Sequence, residues 1–234
     1  MTTQKDFTAL VRERFDPLMK EHGYVRKRGT SYELESNQVV RFVLFLRSRD
    51  GKGFVPRLSI AARPFEELGA IVSKDLPALL PNPDPNKNWW RWYAREEAVA
   101  EILAGLESFG LPWLERLGHL PHLIEHLEAN KYFATNPSED LRKGIASLEE
   151  MGIRTLHAQA LSGGAERPAP QLRPDVVERL SYCYELGRQW AKAFKAWQEY
   201  CTIFPPGDRS DFLKAVGKRL DYLRERAEKA AVVS

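Results

Sequence analysis

The segment His122-Leu123-Ile124-Glu125-His126 is the sharpest catalytic candidate in the chain. On a helix, His122 and His126 stand four residues apart and share a face. Two imidazoles placed that way could hold a zinc ion, with Glu125 activating a bound water. A third, acidic ligand would have to come from elsewhere, and Glu185 and Glu199 are the candidates. The bland reading has its own support. Leu120, Leu123, Ile124 and Leu127 give the segment the spacing of an ordinary amphipathic helix, with the histidines on its flank. Pro121 also puts the motif in the first turn, where helical geometry frays.

The order His-x-x-Glu-His resembles the signature of the inverted zinc metallopeptidases. That resemblance implies a much larger catalytic domain than this segment offers. A metal-dependent hydrolase using His122, Glu125 and His126 is therefore the alternative reading and not the leading one. No cofactor is expected: the sequence holds no glycine-rich phosphate loop with its lysine, and no Ser-x-Gly nucleophile elbow. Gly163-Gly164 reads as linker.

A second constellation is Trp89, Trp90, Arg91 and Trp92, followed by Tyr93 and Arg95. Aromatic rings beside arginine can grip a peptide or stack on bases. The competing reading is that some rings plug the open side of a sheet. Neither strand nor helix spacing can bury all of them, so at least one ring should stay partly exposed. The basic run Arg26-Lys27-Arg28 could bind phosphate, but a charged edge strand that resists sheet aggregation explains it better.

Composition bounds the rest. The chain has 234 residues, is 43% hydrophobic and 29% charged, and carries a formal net charge of +3. That is enough material for a real core and too little charge to imply nucleic acid, which is not the expected partner. Cys183 and Cys201 fall at apolar helical positions and read as small core residues, not as a secreted disulfide scaffold. The start MTTQKDF lacks an apolar signal region, and the longest apolar run, Phe42 to Leu46, is too short to span a bilayer. A cytoplasmic protein with no membrane partner is expected.

The elements that must position these residues fall into two halves. Residues 3–22 predict an amphipathic helix with Thr3 and Asp6 as a capping box, a kink or restart at Pro17, and a stop at Gly23. Strands are expected at Tyr24 to Arg28, Ser31 to Glu35, Val39 to Arg47 and Phe54 to Ala62, in an antiparallel meander with a turn at Asp50 to Gly53. Pro56 suggests an edge or a bulge. Helices are expected within Pro64 to Leu80, from Ala94 to Phe109 with Gly110 as the stop, and from Leu111 to Glu115. Further helices are expected at Pro121 to Asn130 and Ser138 to Met151. Residues 161–174 read as a linker.

The stretch LSYCYELGRQWAKAFKAWQEYCTIFP, Leu180 to Pro205, resembles one tetratricopeptide-type helical hairpin, with Pro205 as its stop. The resemblance implies polypeptide binding. A last helix near Ser210 to Lys229 would cap the hairpin. In the first half, FTALVRERFDPLMKEHGYVRKRGTSYEL, VVRFVLFLRS, WWRWY and GLPWLE occur in an order that resembles a bacterial family, the domain of unknown function 4304, over about residues 7–116. That resemblance implies an α+β domain of helix and antiparallel sheet. It brings no agreed activity and no catalytic residues.

The sequence thus points to an α+β domain over 1–117 and an all-helical extension over 118–234, with the hairpin near 174–207. The expected function is non-catalytic recognition of another protein, or self-association through the extension, in the form of an inhibitor or immunity-type binding protein. The expected contact residues are Trp89, Trp90, Arg91 and Trp92, and on the hairpin Arg188, Gln189, Lys192, Lys195 and Gln198. His122 and His126 are the candidate metal ligands.

Overall fold

The computed structural model describes residues 3–36, 38–63, 69–81, 89–92, 95–132, 172–207 and 210–233. It is α+β, and the chain divides into two compact units, 1–124 and 125–234. The division falls inside a helix, seven residues beyond the boundary that sequence suggested. The expected helix at Ser138 to Met151, and residues 161–171 of the expected linker, lie outside the described residues.

The first unit opens with helix α1 (Gln4–Glu21). Its capping box is present: the Thr3 hydroxyl accepts the Asp6 amide at 3.1 Å, and the Asp6 carboxylate accepts the Thr3 amide at 3.1 Å. The helix runs through Pro17 without a restart. Asp16 accepts the Tyr32 hydroxyl at 2.6 Å and lies 3.6 Å from Arg26. Gly23 follows at φ 77°, a left-handed stop that suits glycine.

Strands β1 (Val25–Arg26), β2 (Ser31–Glu35), β3 (Val39–Arg47), β4 (Gly53–Ala62) and β5 (Val72–Asp75) pair in sequence order, all antiparallel. A short strand β6 (Trp90–Arg91) also pairs with β4. Edge strand β1 holds only Arg26 of the basic run, and two of the run's charges are answered locally: Arg26 by Asp16, and Lys27 by Glu33 and Glu35.

Pro56 explains why β4 meets two different strands along one edge. Phe45, its partner on β3, donates its amide to Thr30 on the β2 side. The position of Pro56 is therefore a non-hydrogen-bonded pair, and its missing N–H faces away from β3. Along that edge β6 takes residues 53–54 and β5 takes 57–60, so the proline sits in the gap between them.

One sheet face holds Tyr32, Val43, Phe45, Phe54, Leu58 and Ile60, all fully buried. Phe7, Val11, Phe15 and Met19 of α1 are buried with them. The Phe15 and Phe45 rings lie 4.4 Å apart, and Phe7 meets Phe54 edge-on at 6.0 Å. Burying each such side chain contributes about 1.5–3 kcal/mol. The other face carries Val40, Phe42, Leu44, Leu46 and Val55, which is why residues 39–47 read as an almost unbroken apolar run.

Two sequence expectations need correction here. The described part of Pro64 to Leu80 holds no α-helix. It holds β5 and then a 3₁₀ turn at Leu76–Leu79 opened by Pro77. Cross-strand pairs decide this: Arg57 donates to both Asp75 oxygens at 2.7 and 3.2 Å, and the Ser59 and Ser73 hydroxyls meet at 2.8 Å. Gly110 is likewise not a stop. Helix α2 (Arg95–Gly105) continues through a π-helical turn (Leu106–Gly110) into α3 (Leu111–Leu117), and the Leu111 amide reaches back five residues to Leu106. Gly110 is buried, and a methyl group there would come within 3.0 Å of Leu58 and 3.2 Å of Leu76. The glycine serves close helix–sheet approach.

Helix α4 (Leu120–Ala129) follows. In the second unit, α5 (Pro174–Leu186) and α6 (Trp190–Ile203) form the expected hairpin, and α7 (Asp211–Val233) is the expected last helix. Cys183 is fully buried and Cys201 half-buried, both as free thiols. Ala193 and Ala196 are small enough for α5 and α6 to approach, and Trp197 and Tyr200 fill the space between them. Arg219 joins α7 to this pair. Its guanidinium donates to Ser181 at 3.0 Å and Glu185 at 2.9 Å, and lies 3.8 Å from the Tyr182 ring and 5.0 Å from that of Trp197. The Trp197 indole N–H donates to the Val216 carbonyl at 3.0 Å.

Two outcomes test this architecture. Gly110→Ala should cost about 1–3 kcal/mol through overpacking against Leu58 and Leu76, read as a lower urea midpoint with unchanged slope. Arg219→Ala should cost about 3 kcal/mol, because it strands the largely buried Glu185 carboxylate.

Candidate functional site

Strand β6 sorts the tryptophans by strand alternation. Trp90 stands opposite Phe54, is 3% exposed, and donates its indole N–H to Glu101 at 2.9 Å. It is core, and it leaves the set of expected contact residues. Trp92 meets Phe54 and Phe7 edge-on at 5.8 and 6.3 Å and is half-buried, so it too serves mainly to close the core. Trp89 and Arg91 take the opposite sheet face. Trp89 is half-buried and Arg91 exposed, and these two remain available for contact. Tyr93 lies outside the described residues. Gly53 lets β6 come this close, because a methyl group there would sit 3.1 Å from both Trp89 Cβ and the Trp90 carbonyl.

Beside them lies the β3–β4 turn. Ser48 bonds Gly53 through its amide at 2.9 Å, and its hydroxyl accepts the Gly53 amide at 2.8 Å. Asp50 accepts the Ser48 hydroxyl at 2.6 Å and the Lys52 amide at 3.0 Å. These bonds, the hydroxyl first, hold its carboxyl below the usual aspartate range, with lesser help from the charges of Lys52 and Arg91. A hollow of about 410 Å³ opens between this turn and β6. A larger one, about 900 Å³, runs along the polar outer side of α1 past Lys5, Arg12 and Lys20, with no aromatic residue among its described lining.

The hairpin positions are all exposed: Arg188, Gln189, Lys192, Lys195 and Gln198. The link between α5 and α6 closes as a Schellman turn, in which the Arg188 amide reaches Glu185 at 2.9 Å and the Gln189 amide reaches Tyr184 at 2.8 Å. The left-handed position of that turn normally takes glycine. Here it is Arg188, at φ 55°, while Gly187 just before it has an ordinary φ of −75°. Lys192 and Lys195, three residues apart, share one side of α6, and Arg188 stands in the link just before that helix. Lys192 lies 5.6 Å from the Tyr184 ring. None of the three cations has an ion-pair partner among the described residues. Glu199, one turn further, pairs with Lys131.

On α4, Leu123, Ile124 and Leu127 are buried, as an amphipathic helix requires. His122 and Glu125 are exposed and His126 is half-buried. His122 stacks edge-on against His119 at 6.3 Å. The two acids considered as a third ligand are already engaged. Glu185 takes Arg219 and the Tyr222 hydroxyl, and Glu199 takes Lys131. Among the described residues, no three histidine, cysteine or acidic side chains come together to hold a metal. Also among them, no helix is long and apolar enough to cross a membrane.

Comparison of the chain with protein-family models, curated proteins and solved structures gave no match. The site is therefore read from its own geometry. Sequence reasoning singled out the hairpin's polar residues but missed the strain at Arg188. A glycine directly before a cation at a helix end was the available signal. It also missed Arg47 and Arg49, because only pairing with β6 brings the turn beside Trp89.

A left-handed arginine carries about 1–2 kcal/mol of backbone strain. Arg188→Gly should therefore raise stability by about 0.5–1 kcal/mol after the added unfolded-state freedom of glycine is counted. A thermal melt that shows a rise, together with weaker partner binding, would mark the arginine as kept for contact and not for folding.

Proposed function

We propose that this chain is a non-catalytic protein-recognition module, an intracellular inhibitor or immunity-type binding protein, whose contact surface is the hairpin tip and the exposed side of α6. The observation that carries the reading is Arg188. A non-glycine residue held at a left-handed helix end costs stability, and residues of that kind concentrate where strain serves function. It adjoins a cationic row on α6, Lys192 and Lys195, and none of the three has an ion-pair partner among the described residues. Such a row favours a partner with an acidic surface and speeds its encounter. Gln189 and Gln198 flank the row with hydrogen-bonding amides. The resemblance of residues 7–116 to the domain of unknown function 4304 adds no activity to this reading.

Lys192→Glu with Lys195→Glu tests it. Both positions are exposed, so folding stability should stay within about 0.5 kcal/mol. Tagged protein is used to capture partners from nuclease-treated lysate at moderate salt. The expected result is one stoichiometric protein, lost in the double variant and weakened by added salt. If the partner is a second copy, sedimentation equilibrium should show a dimer that the same substitutions dissolve. An empty eluate from a monomeric protein, or capture indifferent to the charge reversal, would overturn the proposal.

A further inference from the structure

We infer that the hollow between the β3–β4 turn and β6 binds a phosphate monoester attached to a planar ring, the chemistry of a nucleoside monophosphate. The inference stands apart from the hairpin reading, since every residue it uses lies between 47 and 91, within the first unit.

Its volume, about 410 Å³, lies within the range of small-molecule sites, about 300–1,000 Å³. Arg47, Arg49 and Arg91 line it, with Asp50 as the single acid among its described lining. Arg49 and Arg91 present two exposed guanidinium groups to the hollow. Asp50 is committed to the turn through the Ser48 hydroxyl and the Lys52 amide. Arg49 and Arg91 make no salt bridge among the described residues. Guanidinium groups match phosphate through paired N–H donors. A monoester brings about −1.5 to −2 of charge, which suits this lining better than the single charge of a carboxylate or a phosphodiester.

The ring requirement comes from Trp89. Its indole lines the same hollow, half-buried, on the sheet face that Arg91 occupies two residues on. An indole beside a phosphate cradle gives a base a surface to stack on. The cradle is fixed in place, because β6 is paired to β4 at Gly53 and the turn is closed by Ser48. The same chemistry has two sources: a free mononucleotide, or the 5′-phosphorylated end of a single strand.

Isothermal titration of the full chain at low salt distinguishes them. The probes are adenosine and uridine monophosphates, adenosine, inorganic phosphate, a phosphotyrosine peptide, and a tetranucleotide with and without a 5′-phosphate. One saturable site for the monophosphates is expected, with adenosine at least about 10-fold weaker. Arg49→Ala with Arg91→Ala should weaken binding at least about 10-fold. Both side chains are exposed, so the melting temperature should hold. Trp89→Leu should weaken the monophosphates about 5–10-fold and leave inorganic phosphate unchanged. A phosphorylated tetranucleotide bound at least about 10-fold more tightly than the monophosphates would identify the strand end, and parity would identify the free nucleotide. Three results would overturn the inference. They are no saturable binding of either ligand at millimolar concentration, an arginine double variant that binds like the parent, or preference for a phosphotyrosine peptide over every nucleotide.

Discussion

The backbone of β4 organises the first unit, and the missing N–H of Pro56 organises β4. A full-length partner on that edge would have left one carbonyl without a donor. Two short strands instead share the edge, β6 before the proline and β5 after it. β5 leads into the 3₁₀ turn whose Leu76 packs near Gly110. β6 places Trp90 and Trp92 over the open end of the core and turns Trp89 and Arg91 to the other face. The candidate phosphate hollow thus exists because a proline interrupts a ladder three residues from a glycine that admits a tryptophan.

In the second unit the organising group is a cation. A helical hairpin of the repeat type cannot bury its own apolar face. Helix α7 covers one side of it, with Phe212 against Phe204 and Tyr222 against Trp190. Arg219 sits among Ser181, Tyr182, Glu185 and Trp197, and this geometry fixes the register of α7 along the hairpin. On another side the end of α4 and the residues after it contribute Glu128 to the Tyr184 hydroxyl and Lys131 to Glu199. Among the described residues, the outer side of α6 and the tip stay exposed. The unpaired cations and the strained arginine are both found there.

The same division of labour occupies the two acids considered as a third ligand to the histidines. The acids that could have completed a metal site hold the helices together, and their carboxylates are occupied by Arg219, Tyr222 and Lys131. The burial of Leu123, Ile124 and Leu127 accounts for α4 without reference to a ligand.

Periodicity alone determined the α+β class, helix α1 with its capping box, strands β2 to β4, the hairpin and the final helix, since each of these carries its apolar residues at the period of its own structure. The buried role of Cys183 and the exposure of Arg188, Lys192 and Lys195 were legible for the same reason. Local pattern misassigned two places. Strand β5 went unread within Pro64 to Leu80 because it is a short edge strand held by pairs with Arg57 and Ser59, eighteen and fourteen residues away in sequence. Gly110 looked like a stop because its reason for being glycine is Leu58 on a distant strand. The fate of the tryptophans was decided only by tertiary structure: four adjacent residues state that some ring must be exposed, but the pairing of β6 on β4 chooses which. The meeting of Arg47, Arg49 and Arg91 around one hollow has the same origin, because charges more than forty residues apart become neighbours only through the sheet.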